Sequence, residues 1–282
     1  MMLSPMCDLK TQLELLYKRY NHQQFIAPDP LQTIYDFPKP QDQEIVGLIA
    51  SSLAFGNVKQ IIQSIAAVLR PMGEHPHQFL RNATRQSLKK VYHGFQYRFV
   101  GEDELVSMLS GVATVIRQEG TLAEAFARIH DRNQAPDIID SLNTWVTALL
   151  TFGNSGKNYL LPLPIRGSAC KRWHLYLRWM IRQDKVDPGT WQVLLGQGVI
   201  SPAELMIPLD THMFRLSRAL KMTERHNADQ QSVREVTTAF QMISPDDPVR
   251  YDFCLTRLGI RRDTDRDSFI KAFSPASRIV EA

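Results

Sequence analysis

Residues 208–218 read Pro-Leu-Asp-Thr-His-Met-Phe-Arg-Leu-Ser-Arg. Asp210 stands just after a proline, and an aspartate in such a position accepts hydrogen bonds from the free N–H groups of a helix's first turn. Downstream, Met213, Leu216 and Leu220 recur at intervals of three and four residues, which is the spacing of one apolar helix face. The stretch therefore predicts a helix that begins after Asp210.

The same helical spacing recurs along most of the chain. Apolar residues are spaced for helices over residues 9–20, 42–53, 58–69, 78–82, 103–117, 122–129, 138–150 and 249–258. No series of alternating apolar and polar residues bounded by turn residues predicts strands. The helix over 42–53 is rich in small residues, so we expect it to be central and closely packed. The fold class predicted is all-α.

The composition is that of a folded protein that does not enter a membrane. Of the 282 residues, 44% are apolar and 22% are charged, which is typical of globular domains and not of disordered chains. The length allows one large domain or two lobes that share a cleft. No apolar run approaches the roughly 20 residues of a membrane span, and the first residues lack the layout of a signal peptide. We predict a cytoplasmic protein.

The cysteines predict neither disulfides nor a metal site. Cys7, Cys170 and Cys254 are far apart in sequence, so they form neither a disulfide framework nor a CxxC ligand pair. We expect them to be structural thiols, and we predict no metal and no cofactor.

The basic residues are concentrated in two segments. A net charge of +4 is weak evidence for a polyanionic partner. Residues 166–183, however, contain five Lys or Arg and no acid, and residues 211–223 contain three more without an acid. This distribution favours a partner such as nucleic acid.

The first basic segment contains a second helix start, at Gly167-Ser-Ala-Cys-Lys171-Arg172. A glycine turn there leaves backbone N–H groups free, and positive side chains beside them are unfavourable unless an anion such as phosphate binds. Along the helix that follows, Lys171, Arg178 and Arg182 fall on one side, opposite the apolar face. The alternative interpretation is a solvated basic turn.

Lys171 and Asp210 suit the removal of a base from a sugar. Positive neighbours and burial in a cleft favour the free amine of Lys171, which is a nucleophile toward C1′ of a nucleotide. Losing the base creates positive charge on the sugar, which a fixed carboxylate such as Asp210 stabilises. Asp210 is alternatively only a helix cap, although the two roles are compatible. His212 is a weaker candidate, since packing explains a lone histidine equally well.

These residues resemble the helix-hairpin-helix DNA glycosylase superfamily, which includes endonuclease III and 8-oxoguanine glycosylase. Residues 209–218 resemble its catalytic-aspartate motif, and residues 167–171 its hairpin Gly-x-Gly-x-Lys, with Ala169 in place of the second glycine. Residues 45–55 are similar to the buried helix that opens its six-helix lobe, and residues 94–99 to its Gly-x-x-Tyr-Arg turn. The pattern is that of a divergent bacterial branch without the iron–sulfur cluster.

The resemblance implies a two-lobed fold with a cleft that receives a flipped nucleotide. A six-helix lobe would cover residues 41–185, and a second lobe would combine residues 1–40 and 200–282. The implied catalytic residues are Asp210 and Lys171. The implied DNA-binding residues are Gly167, Ser168, Ala169, Arg172, Arg178, Arg182, His212 and Arg215. The separation between Lys171 and Asp210 exceeds that in endonuclease III, which implies an extended helix and an inserted loop around residues 187–191.

The function that follows is a base-excision glycosylase, with or without abasic-site lyase activity. Its partner would be double-stranded DNA with a flipped base, and we expect a monomer that associates with the nucleoid. Phe55, Asn57 or Trp191 would suit a wedge role, although each is equally well explained as ordinary structure. The alternatives are a non-catalytic DNA- or RNA-binding protein on the same scaffold, and a helical protein-interaction module.

Overall fold

The computed structural model describes residues 3–133 and 138–260. These residues form mostly α-helix, together with one β-hairpin whose two strands have two residues each. The all-α prediction is therefore confirmed. The helices are α1 (Leu3–Tyr20), α2 (Pro40–Ser52), α3 (Val58–Leu69), α4 (Pro76–Asn82), α5 (Arg85–Val91), α6 (Glu102–Glu119), α7 (Leu122–Asn133), α8 (Ile138–Phe152), α9 (Lys171–Ile181), α10 (Thr190–Leu195), α11 (Thr211–Ala219), α12 (Gln230–Ile243) and α13 (Asp252–Ile260). The strands are β1 (Gln96–Tyr97) and β2 (Val100–Gly101).

Helix α2 lies at the centre of the fold, as its small residues predict. It packs against the 3₁₀ segment Pro30–Asp36 and against α9 and α10. Gly47 and Ala50 are buried, and a Cβ atom at Gly47 would lie only 2.8 Å from the side chain of Met180 on α9. The small side chains therefore allow α2 and α9 to approach closely.

An aromatic cluster fills the space between α7, α8, α9 and α10. The indole ring of Trp145 lies at its centre and contacts four other rings, those of Phe126, Trp173, Tyr176 and Trp191. All five side chains are fully buried or nearly so. Trp191 on α10 also donates its indole N–H to Glu44 at 3.1 Å. The interpretation of Trp191 as a DNA wedge is therefore wrong, because its ring belongs to the core.

Two parts of the chain differ from the sequence predictions. The sequence predicts a break with an inserted loop over residues 184–198, but these residues contain α10. The sequence also implies an extended helix after Lys171, whereas α9 ends at Ile181. Residues 94–99 lie at a β-hairpin in which Gln96 pairs with Gly101 and Tyr97 with Val100. Arg98 occupies its turn with a φ of 55°. Alternation over two residues per strand is too short to detect in a sequence.

The N- and C-terminal parts of the described chain meet. Helix α1 packs against α13, and α11 packs against α13 as well. Division into lobes at residues 41–185 stays a prediction. None of the helices in the described ranges combines the length and hydropathy that a bilayer crossing requires.

Candidate functional site

An open cavity of about 560 Å³ lies where the first turns of α9, α11 and α13 converge. Lys171 and Asp210, the two residues predicted to be catalytic, both line it. Its remaining walls come from three further parts of the chain, residues 28–30, residues 54–61 and Ala228. The cavity has the size of sites that accept small molecules or single groups of larger ones.

Lys171 is the first residue of α9, and the preceding chain fixes that start. Gly167 and Cys170 are left-handed, with φ values of 81° and 45°. The carbonyl of Cys170 accepts the N–H groups of Trp173 and His174, which begins the helix. Lys171 is half-buried and also lines a second cavity of about 380 Å³ beside the turn. The turn therefore presents the Lys171 side chain between two cavities.

The predicted hairpin is held against the start of α12. The backbone N–H of Gln230 donates to the carbonyl of Gly167 at 3.0 Å, and Ser168 pairs with Asp229 in an isolated β-bridge. Gly167 and Ser168 are exposed, whereas Ala169 is buried. Two of the three predicted hairpin residues are thus accessible to a ligand, and the third contributes to the core.

Asp210 caps α11, as the sequence predicts. Its carboxylate accepts the backbone N–H of Met213 at 2.8 Å, and the side chain is half-buried at the cavity wall. His212 is exposed and lines the same cavity, and Arg215 is exposed one turn further along the helix. The cap holds the carboxylate in a fixed position, which electrostatic stabilisation of a developing charge requires.

The prediction that Arg178 and Arg182 contact DNA is wrong. Both side chains are 3% exposed. Arg178 is ion-paired with Asp187 and Asp252, and Arg182 with three carboxylates, those of Asp184, Asp187 and Asp247. Removing such a guanidinium from its carboxylates to reach a phosphate would leave buried negative charges uncompensated. The helix face opposite the apolar one is covered by carboxylates of the loop that directly follows α9 and of the distant residues 247–252.

Arg172 is half-buried and packs in an exposed aromatic cluster, and its contact with DNA stays a prediction. Its guanidinium donates to the carbonyls of Ser52, at 2.6 Å, and Tyr159. It lies over the rings of Phe55 and Tyr159, at 5.1 and 4.7 Å from their centroids. Phe99, 55% exposed at the hairpin turn, stacks on the ring of Phe55 and contacts the ring of Tyr159 edge to face. Phe55 thus joins this cluster to the cavity that it lines.

The remaining predictions concern metals and thiols. Among residues 3–133 and 138–260, no group of three His, Cys, Asp or Glu side chains is arranged to hold a metal ion. Cys170 and Cys254 are buried and unpaired, as expected of structural thiols. The side chain of Cys7 lies outside the described residues.

Asn57 is the N-cap of α3, where its side chain accepts the N–H of Lys59. This is the ordinary structural role that the sequence offered as the alternative to a wedge.

A model of the family described as "Protein of unknown function (DUF2400)" matches residues 29–261 of the chain. The chain belongs to this family. The matched range contains every residue that lines the cavity except Pro28. No curated protein and no solved structure matches the chain.

The cavity contains two further charged pairs that the sequence did not reveal. Asp252 is buried, and one of its oxygens accepts the guanidinium of Arg178. Burial raises the pKa of Asp252 to about 6, and the negative charge of Asp210 acts in the same direction, whereas Arg178 and Lys171 oppose the rise. Asp29 pairs with Arg257 at 2.5 Å. Each pair joins segments far apart in sequence, so no local pattern marks it.

Proposed function

We propose that the protein is a DNA base-excision glycosylase of the helix-hairpin-helix type. The observation that carries the proposal is that Lys171 and Asp210 line one open cavity from the starts of two different helices. A nucleophilic amine and a fixed carboxylate on one cavity are the two groups that displacement of a base from C1′ needs.

The lining of the cavity supports the two-lobed arrangement of the proposal. Residues 54–61 and 171–178 belong to the proposed six-helix lobe, and residues 28–30, 208–212 and 252–257 to the proposed second lobe. The cavity would then be the cleft between the lobes, and an extruded nucleotide would enter it from the open side.

In the proposed reaction, the free amine of Lys171 attacks C1′ while the carboxylate of Asp210 stabilises the positive charge that develops on the sugar. The C1′–N bond to Lys171 forms, and the bond to the base breaks with its electron pair on the base. A proton of the attached amine then passes to the ring oxygen, the C1′–O bond breaks, and the opened sugar is joined to Lys171 as a Schiff base. A Schiff base allows strand cleavage by elimination, which is the lyase activity of the proposal.

Fewer residues than the sequence predicts would contact the DNA backbone. Gly167, Ser168, His212 and Arg215 are exposed around the cavity and the turn, and they remain available. The exposed rings of Phe99 and Tyr159, next to Arg172, add a surface on which unpaired bases stack. These features support a nucleic-acid partner.

The test is trapping with borohydride on duplex DNA that carries an abasic site. We expect wild-type protein to form a covalent adduct and Lys171→Ala to form none, because the Schiff base needs that amine. Lys185→Ala, which removes an exposed lysine outside both cavities, is the matched control and should trap like wild type. Absence of both trapping and base release across a panel of lesions, with DNA still bound, would favour a non-catalytic binder.

A further inference from the structure

Asp252 is a second carboxyl group on the cavity that the proposed reaction has not used. It is the first residue of α13, it is 3% exposed, and it lines the cavity together with Lys171 and Asp210. The guanidinium of Arg178 holds one of its oxygens, so the side chain is fixed in place. A rigid, buried carboxyl group therefore borders the space in which an extruded base would lie.

Burial raises the pKa of Asp252, and the charged groups around it act in both directions. Helix α9 contributes Arg178 and Lys171, and the start of α11 contributes Asp210. Asp29, His212 and Arg257 also line the cavity, Asp187 shares Arg178 with Asp252, and the charge of Asp252 acts on Cys254. Arg178 is shared with the buried Asp187, so its charge is divided between two carboxylates. With a pKa of about 6, about a tenth of Asp252 is protonated at pH 7.

Base departure needs such a proton. When the bond to C1′ breaks, its electron pair moves to a ring nitrogen of the base, and an unprotonated base is a poor leaving group. A general acid works best when its pKa lies near the working pH. In enzymes with two carboxyl groups in one site, different environments allow one to act as the acid while the other stabilises charge. Asp210, half-buried and fixed by the N–H group of Met213, has the other role in the proposed reaction, which is to stabilise the charge on the sugar.

We propose that Asp252 is the general acid that protonates the departing base, an inference that rests on the proposed glycosylase function. The O–H bond of Asp252 breaks and an N–H bond forms on the base as the C1′–N bond breaks. Asp252 is left as a carboxylate, whose charge Arg178 compensates, and solvent returns the proton through the open cavity.

The experiment compares wild-type protein with Asp252→Asn, which keeps the size of the side chain and an oxygen for Arg178. Single-turnover base release is measured between pH 5 and 9 on duplexes that carry uracil, thymine glycol or 8-oxoguanine. We expect the variant to release the base about 100-fold more slowly at pH 6 or below. The ratio of the two rates should fall about tenfold per pH unit above pH 6, because the acid form of Asp252 is lost there.

Trapping on an abasic duplex is the internal control, because no base has to leave. Asp252→Asn should trap at the wild-type rate, and Asp252→Glu should restore the dependence of base release on pH. Asp103→Asn removes an exposed carboxylate outside the cavity and should retain that dependence. If Asp252→Asn does not fold, the wild-type protein alone tests the proposal. Its rate of base release divided by its rate of trapping should also fall above pH 6.

Three results would overturn the role of Asp252. These are a rate ratio that does not vary with pH, an equal loss of trapping and base release in Asp252→Asn, and an absence of base release by wild type. Wild-type trapping separates the two proposals. Trapping and base release with a constant ratio refute the acid role alone, whereas the absence of both activities refutes the glycosylase as well.

Discussion

Lys171 and Asp210 face the same cavity from the first turns of two helices that are well separated in the sequence. Each position is fixed by local backbone geometry, since Lys171 follows a left-handed Cys170 and Asp210 caps α11 through Met213. Arg178 and Asp252 line the same cavity and link α9 to α13. The chemistry of the site therefore depends on helix starts that buried ion pairs hold together.

Replacing Asp210 should separate its capping role from its charge. Asparagine caps a helix about as well as aspartate, so Asp210→Asn should unfold at nearly the wild-type urea concentration. Because it lacks the negative charge, we expect base release to fall by about 100-fold or more. Asp210→Ala should in addition lose about 1 kcal/mol of unfolding free energy. Wild-type base release by Asp210→Asn would contradict a catalytic carboxylate.

Breaking the buried ion pairs should destabilise the protein strongly. In Arg178→Met, Asp187 and Asp252 lose their shared buried partner, and we expect a loss of about 3 to 5 kcal/mol in the free energy of unfolding. The matched control is Arg215→Met, at an exposed position of α11, where the change should stay within about 0.5 kcal/mol. Urea unfolding measures both. Equal stability of the two variants would show that Arg178 is not required for packing.

The stability of the protein should depend on the protonation of Glu44. This carboxyl group accepts the N–H groups of Leu122 and Ala123 at the start of α7, as well as the indole of Trp191. Burial outweighs these hydrogen bonds and raises its pKa from 4.5 to about 8. The folded state therefore retains a proton that the unfolded chain releases above pH 4.5, so the stabilisation is complete below about pH 4.5 and is lost as the pH rises through 8.

We expect Glu44→Gln to remove this contribution, which is at most about 1.4 kcal/mol per pH unit within that window. Urea unfolding at pH 5, 6, 7 and 8 gives the slope for each protein. Glu224→Gln, at an exposed position, should follow the wild-type slope. An unchanged slope in Glu44→Gln would show that Glu44 does not carry the proton.

Several helices and the two helix starts of the site could be predicted from sequence because their causes are local. The helix over residues 58–69 has the predicted bounds, and Asp210 caps α11 as its position after Pro208 indicates. Helices α5, α10 and α12 were missed. In α10, the six helical residues follow Gly189 and give too little periodicity to be separated from a loop.

The sequence by itself determined that the chain is helical and that Lys171 and Asp210 begin helices, because apolar spacing and capping act over a few neighbouring residues. Only the tertiary structure decided that these two residues share a cavity, that Arg178 and Arg182 are buried, and that Asp252 joins the site. Helical spacing identifies the face that apolar neighbours cover. It does not show that carboxylates from the next loop and from a distant segment will fold over the opposite face and bury its charges as ion pairs.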